Sequence, residues 1–322
     1  MIILNSEEID SLVDHTELIG AVEEAFRIHA AGNFAMPLRA HIDYRNKTFL
    51  SMPCFTDKSF GAKLVSVVPA NAEKGLPPTY GIVLLNDGTT GEPLAILNGA
   101  VITALRTAAV GSLSINYLAD QHAAHLGVIG AGVQGLHQPL FACTVRKFTD
   151  IHLYDCREKA LHDLAHNLAA LLPGIRISAE KSSLDVLLHS DVLITVTNSE
   201  KPLFPDDRAL FKNKHFAAMG SYKPEMREYP EALFRNLSCL LIDTEHALHE
   251  TGDVITPLEK GWIAPQQVIP FDRVVSGELR TVANENKVTF FKSVGMALFD
   301  MVTADLIYHK ARQKGCGTEV RL

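Results

Sequence analysis

The sequence predicts an α/β protein in which a doubly wound parallel sheet follows an N-terminal α+β sheet domain. Three observations carry this. From Ala124 onward, apolar strand-like runs alternate with helical patterns, the signature of parallel βαβ units. Between Arg39 and Leu97 the runs are short, β-rich and alternating, with no helices between them. The stretch LGVIGAGVQG, Leu126 to Gly135, joins a strand to a helix through glycines at GxGxxG spacing. At 322 residues the chain is long for one core and suits two domains.

In chain order, MIIL reads as an edge strand. Apolar residues at Ile9, Leu12, Val13, Leu18, Ile19, Val22 and Phe26 give two amphipathic helical pieces broken around His15 and Thr16. RAHIDYR, KTFLSMPCF, GAKLVSVVPAN, YGIVLLND and EPLAILNG are strands of an antiparallel or mixed sheet, with turns at Asn86, Asp87 and Gly88 and at Thr90 and Gly91. A helix runs from about Val101 to Ala119. LGVIG, IHLY, IRISA, DVLITVT, HFAAMG and CLLID are six parallel strands, with helices at Arg157–Leu172 and Ser183–His189 among their connections. HALHETGDVITPLEKGWI is helix and loop. A final helix, apolar on several faces, extends from about Phe290 to Gln313.

Composition excludes several function classes. A net charge of −7 argues against nucleic acid or an anionic membrane as partner. No apolar run approaches the roughly 18–20 residues that span a bilayer. The opening MIILNSEEID soon turns acidic and shows no basic region or cleavage site, so no export signal is expected. Five scattered cysteines without a CxxC pair read as reduced thiols in a cytoplasmic protein. His162 and His166 share a helix face but lack a third ligand, so no metal site is expected.

The glycine stretch carries the first chemistry. Gly130 permits the tight turn, Gly132 lets backbone amides approach a pyrophosphate, and Gly135 lets helix and strand pack closely. The turn Gly130, Gly132, Val133, Gln134 and Gly135 is therefore a dinucleotide site on the positive end of a helix. Asp155 ends the next strand, twenty residues past Gly135, where a carboxylate meets the adenosine ribose and repels a 2′-phosphate. Arg157, two residues on, could instead cover a 2′-phosphate. A fixed charge outweighs a flexible one, so NADH is expected to be preferred and NADPH tolerated. Arg39, Lys63 and Arg106 each sit among apolar neighbours. A snorkelling lysine would account for Lys63. A buried guanidinium at Arg106 needs an anion, and a substrate carboxylate fits its geometry.

Over nearly its whole length the chain resembles the ornithine cyclodeaminase/μ-crystallin family. PLRAHID, GAKLVSV, PPTYGIVLLNDGTTGEPLAILNG, ITALRTAAVGSLS, GVIGAGVQG, DVLITVTNSEKPLF, GSYKPEMRE and SVGMALFDMVTADLIY carry the likeness. The resemblance implies a homodimer formed through the N-terminal sheet domain, residues 1–120, which the C-terminal helix within 290–322 completes. Residues 121–289 would be the Rossmann domain. It also implies NAD(P) chemistry on small α-amino or α-imino acids. By position, Arg39, Lys63 and Arg106 match residues around the substrate carboxylate, and Thr79 matches a wall of that pocket. Thr107 and Ala108 would lie near the cofactor. Thr197 and Asn198 would close the fourth strand, and Ser221, Ser293 and Gly295 would face the nicotinamide or its ribose. Ordinary capping competes for Thr197, Asn198, Ser221 and Ser293.

One departure bears on the activity. Cyclodeaminases carry a catalytic aspartate where this chain has Tyr222, and a tyrosine is no carboxylate base near neutral pH. Glu225 and Glu228 are read as exposed and as weak substitutes. The expected activity is NAD(P)H-dependent reduction of a small α-imino acid, with Δ1-pyrroline-2-carboxylate to L-proline leading and alanine-dehydrogenase-like amination close by. Ornithine cyclodeamination and μ-crystallin-like binding of NADPH and a small ligand without turnover stand as alternatives.

Overall fold

The computed structural model describes residues 1–280 and 287–321. The chain begins β1 (Ile2–Leu4), α1 (Ser6–Leu12), α2 (His15–Ala31), β2 (Phe34–Ala35), β3 (Ala40–Tyr44), β4 (Lys47–Thr56), β5 (Ser59–Val67), β6 (Thr79–Asp87), β7 (Pro93–Asn98) and α3 (Gly99–Leu118). The alternating part follows: β8 (His125–Ile129), α4 (Val133–Val145), β9 (Asp150–Tyr154), α5 (Glu158–Leu171), β10 (Arg176–Ala179), α6 (Ser183–Leu188), β11 (Val192–Thr195) and β12 (His215–Ala218). Next come α7 (Glu231–Phe234), β13 (Leu240–Ile242), α8 (Ala247–Glu250), α9 (Gly252–Glu259), β14 (Val268–Pro270), α10 (Asp272–Val275) and β15 (Thr289–Lys292). The chain closes with α11 (Ala297–Lys314) and β16 (Thr318–Glu319). Two compact units result, Met1–Arg106 with Met296–Leu322, and Thr107–Gly295.

The first unit is built on a sheet of order β16-β1-β7-β6-β5-β4-β2, with β3 also paired to β4. β3 to β7 form the antiparallel series read from the alternation. β1 is not at the edge: it pairs parallel to β7 on one side and antiparallel to β16 on the other. The helical break falls at Val13 and Asp14, where the Asp14 side chain caps α2 by accepting from the Glu17 amide at 3.0 Å. Gly32, with φ 71°, ends α2 in the left-handed region. The apolar inner face (Met52, Cys54, Val83, Leu85, Leu97) is buried, and α11 packs on β4, β5, β6 and β7. Phe299 of α11 meets Phe26 of α2 edge-on at 5.0 Å. At Gly61 a Cβ would stand 1.9 Å from the Leu84 carbonyl oxygen, so β5 and β6 require a glycine there.

The second unit carries an all-parallel sheet of order β10-β9-β8-β11-β12-β15-β13-β14. Both faces are covered. Leu193, Phe216 and Phe290 point into one apolar layer, and Val192, Ile194 and Ala217 into the other. The strand order reverses between β8 and β11, the topological switch point where such sheets open a crevice at their carboxyl ends. Two strands were not legible. β14 falls in a stretch for which the sequence reading named no element, and β15 occupies the segment read as the start of the final helix. Thr289, Phe290, Phe291 and Lys292 are all buried, and a short apolar run does not distinguish a central strand from a buried helix. The helix itself starts at Ala297.

Candidate active site

In the first unit the site is built on a buried carboxylate that sequence reasoning missed. Asp300 of α11 is fully buried. Its Oδ1 accepts from Arg106 Nε at 3.1 Å, and its Oδ2 lies 2.8 Å from Lys63 Nζ, an ion pair outside hydrogen-bond alignment. Lys63 is 3% exposed and also approaches Thr103 Oγ1 at 3.4 Å. Burial pulls the Lys63 ammonium down to about 8, with Arg106 and Arg39 pushing the same way and Asp300 resisting. Arg106 and Arg39 thus both act electrostatically on Lys63. The anion that Arg106 needs is supplied inside the fold by Asp300. Two buried cations still face one carboxylate, an arrangement suited to a further anion. Thr79 is not brought to this cluster. It is exposed at the start of β6, four residues from the Val83 that pairs with Lys63, or about 13 Å along the strand.

In the second unit, β8 turns into α4 through Gly130, whose φ is +112° and where a Cβ would stand 2.7 Å from the Val196 carbonyl oxygen. A Cβ on Gly135 would stand 2.1 Å from the Gly130 carbonyl oxygen. Gly132 is the N-cap of α4, with open space around it and no side-chain cap on the helix amides. A helix start without a side-chain cap and with an open approach fits a pyrophosphate. Val133 is exposed beside it. Gln134 Oε1 accepts from Gln138 Nε2 at 3.1 Å, and that same amide nitrogen donates to the Thr107 carbonyl at 3.0 Å. Thr107 thereby anchors the first turn of α4 through Gln138.

Asp155 stands at the end of β9 as read from the sequence. Its Oδ2 accepts from the Ala131 amide at 2.6 Å, inside the glycine turn itself. Arg157 donates to the same carboxylate from its backbone at 2.8 Å, from Nε at 3.1 Å and from Nη2 at 3.1 Å. Partial burial opposes ionisation, but these hydrogen bonds win and hold the carboxyl at about 2. Arg157 therefore lies folded onto Asp155.

Thr197, Ser221, Ser293 and Gly295 all sit at the carboxyl ends of the parallel strands, but their donors turn into the protein. Thr197 gives its amide (2.9 Å) and hydroxyl (2.8 Å) to Glu228 Oε1, while Thr195 gives its hydroxyl to Oε2 at 2.9 Å. Ser221 donates to Asp253 Oδ2 at 2.5 Å. The other oxygen of Asp253 takes the Glu228 and Tyr229 amides at 2.9 and 3.1 Å. Asp243 Oδ2 accepts the Ser293 hydroxyl at 2.6 Å and the Gly295 amide at 2.7 Å. Asn198 is exposed just beyond Thr197. These residues shape the strand-end loops through three inward carboxylates.

Glu228, read as exposed, is fully buried. It and Asp253 share the buried Lys292, whose Nζ donates to the Ala218 carbonyl at 3.2 Å. Burial raises both carboxyls above their ordinary range, and Lys292 counters it. Burial lowers the Lys292 ammonium, and Asp253, Glu228 and Asp243 counter that. A Cβ on Gly220 would stand 2.5 Å from Glu228 Oε1, so the loop after β12 wraps the carboxylate closely. Tyr222 is 56% exposed.

A glycine turn at the switch point of a doubly wound parallel sheet, with an acidic residue closing the second strand, defines a dinucleotide-binding Rossmann protein. The family model for the ornithine cyclodeaminase/mu-crystallin family matches residues 1–315, and the chain belongs to that family. It is 31% identical to a Delta(1)-pyrroline-2-carboxylate reductase of Bacillus cereus, with 99% of each chain covered. It superposes on the Thermococcus litoralis reductase of that name, solved with NADH and L-proline, with a TM-score of 0.93 at 33% identity. That match covers 99% of this chain and 100% of the other. An archaeal alanine dehydrogenase dimer with bound NAD gives a TM-score of 0.92 at 29% identity, covering 100% and 99%.

Proposed function

We propose that the chain is an NADH-dependent reductase of a small α-imino acid, with Δ1-pyrroline-2-carboxylate to L-proline as the leading reaction. The observation that carries this is the buried pairing of Lys63 and Arg106 with one carboxylate, in a chain that also holds a dinucleotide turn. The excess positive charge draws the substrate carboxylate, and Arg106 and Arg39 orient it. Orientation of this kind supplies roughly 7–11 kcal/mol of a bimolecular barrier. The bound nicotinamide supplies a hydride to the imine carbon. As that C–H bond forms, the imine π pair moves to nitrogen, which must end up bearing a proton. Lys63, held at about 8, is mostly protonated near neutrality and stabilises or supplies that proton directly or through water.

The test is NADH oxidation with pyrroline-2-carboxylate, piperideine-2-carboxylate, and pyruvate plus ammonia. Turnover is expected with a cyclic imine. No oxidation with any of them, together with ammonia release from ornithine, would overturn the reading in favour of cyclodeamination. Against cyclodeamination, Tyr222 is no carboxylate, and both oxygens of Glu228 are committed to Thr195 and Thr197.

Asp155 sets the cofactor preference in this reading. Its carboxylate opposes a 2′-phosphate and keeps Arg157 folded away. Asp155→Ser removes the repulsion and releases the guanidinium, so kcat/KM is expected to move toward NADPH by on the order of 1–3 kcal/mol. An unchanged NADH/NADPH ratio would place the ribose elsewhere.

The protein is expected to work as a homodimer. The outer face of the first unit's sheet exposes Ile3, Ile42, Phe49, Tyr80 and Ile82, an apolar stripe that a second copy would cover. Sedimentation velocity should give a dimer at micromolar concentration, and Phe49→Glu should yield monomer. A monomeric wild type refutes it. No described helix is long and apolar enough to cross a membrane. The five cysteines remain thiols, which suits a reducing cytoplasm and can be checked by fractionation.

A further inference from the structure

At the β10 edge of the parallel sheet, three side chains unrelated to the dinucleotide turn converge. His152 of β9 is 8% exposed, and its Nδ1 lies 2.7 Å from Glu180 Oε1. His189, the C-cap of α6, brings its own Nδ1 within 3.3 Å of that same oxygen. The two imidazole rings are 5.2 Å apart and tilted by 39°. All three ligand atoms lie within 4.8 Å of one another. We propose that His152, Glu180 and His189 form a binding site for a zinc-class transition-metal dication, which ties the edge strand and α6 to β9.

The backbone holds the ligands in place. The Glu180 amide donates to the Leu153 carbonyl at 2.8 Å, which fixes the carboxylate beside β9. Ser182 caps α6 by accepting from the Asp185 amide at 3.1 Å, and the His189 amide closes the helix on the Asp185 carbonyl at 3.1 Å. Both imidazoles aim the same ring nitrogen at one oxygen, so a cation there replaces two N–H protons. Zinc bound at about 2.0–2.1 Å needs its ligand atoms roughly 3.3 Å apart. The His189 spacing already meets that, and the Glu180 carboxylate must withdraw about half an ångström from His152. Two imidazoles and one carboxylate suit zinc, cobalt, nickel or copper, whereas magnesium and calcium demand oxygen ligands. His189 is 55% exposed on its side chain, which leaves an entry path and a position for water.

A neighbouring group, His125 with Asp150 and His152, is the weaker candidate. Asp150 is already committed to Arg176 and to Thr149 Oγ1, the latter at 2.6 Å. The His152, Glu180 and His189 group was not legible in the sequence, because its members are 28 and 9 residues apart and lie on different elements.

The experiment uses the full chain stripped with EDTA and then titrated with ZnCl2, CoCl2 and MgCl2. Calorimetry and the Co2+ visible spectrum report binding, and the thermal midpoint reports the tie. One zinc or cobalt per chain and a raised midpoint are expected, with no response to magnesium. His189→Ala should weaken binding tenfold or more while leaving the metal-free midpoint and NADH binding unchanged. Glu180→Gln serves as a second variant that keeps the buried His152. His162→Ala with His166→Ala, an exposed pair on α5, should change nothing. Absence of binding in the wild type overturns the proposal. So does binding that survives both His189→Ala and Glu180→Gln, or that is lost only with the α5 pair.

Discussion

Asp300→Asn is expected to destabilise the protein by about 3–5 kcal/mol at pH 7 and to lower kcat by about a hundredfold or more. The amide keeps the volume but leaves Lys63 and Arg106 buried without the anion they share. The loss has a distinctive pH signature. Lys63 titrates near 8 in the folded protein and near 10.5 when free, so the unfolded chain binds the extra proton between those values. Stability from this group therefore rises as pH increases from about 8 to 10.5. Asp300 is the main influence holding that pKa up, so in the variant the folded value falls and the window opens at lower pH. Urea melts at pH 7 and pH 9.5 should show the deficit shrinking in alkali. A deficit under about 1 kcal/mol, or one that is flat with pH, means that Asp300 does not balance these cations.

Glu228→Ala should cost a similar amount, about 3–5 kcal/mol, for a different reason. It deprives the Thr197 amide and two threonine hydroxyls of their acceptor and removes one of the three carboxylates that act on Lys292. Glu228→Gln separates fold from site. The glutamine fits, and its NH2 group can donate to the Thr195 hydroxyl if that turns to Tyr229, but the negative charge acting on Lys292 behind the loops after β11 and β12 is lost. NADH binding, followed by fluorescence, should weaken about tenfold in Glu228→Gln even where the melt moves little. Near-native affinity in a stable Glu228→Gln protein would show that the carboxylate serves packing alone.

The dinucleotide turn was legible because its physics is local. Gly130 and Gly135 are glycines for reasons set by atoms within one strand-turn-helix unit or beside it, and Asp155 closes the next strand. The antiparallel series was legible because alternation records a half-buried sheet. Asp300 was not, because its meaning depends on Arg106 and Lys63, partners contributed by distant parts of the chain, 194 residues away in the case of Arg106 and farther still for Lys63. An acidic residue in the apolar run ALFDMVTADLIY was the available signal. Glu228 and Lys292 look like surface residues in sequence, and their burial rests on hydrogen bonds and counter-charges from distant elements. Thr197, Ser221 and Ser293 all follow parallel strands, but which way their hydroxyls donate depends on carboxylates contributed by distant elements.

The first unit draws its core from both ends of the sequence, and this shapes how it is made. While the ribosome is still translating the second unit, strands β1 to β7 have emerged but α11 has not. Lys63 and Arg106 then lack their counter-ion, and Phe26 lacks Phe299. The second unit draws on one continuous stretch, Thr107–Gly295, and can complete itself first. Final assembly of the first unit is therefore a late, long-range closure, slow by its loop entropy. Until that closure, the nascent chain presents an uncovered apolar sheet, the state in which a chaperone would be needed.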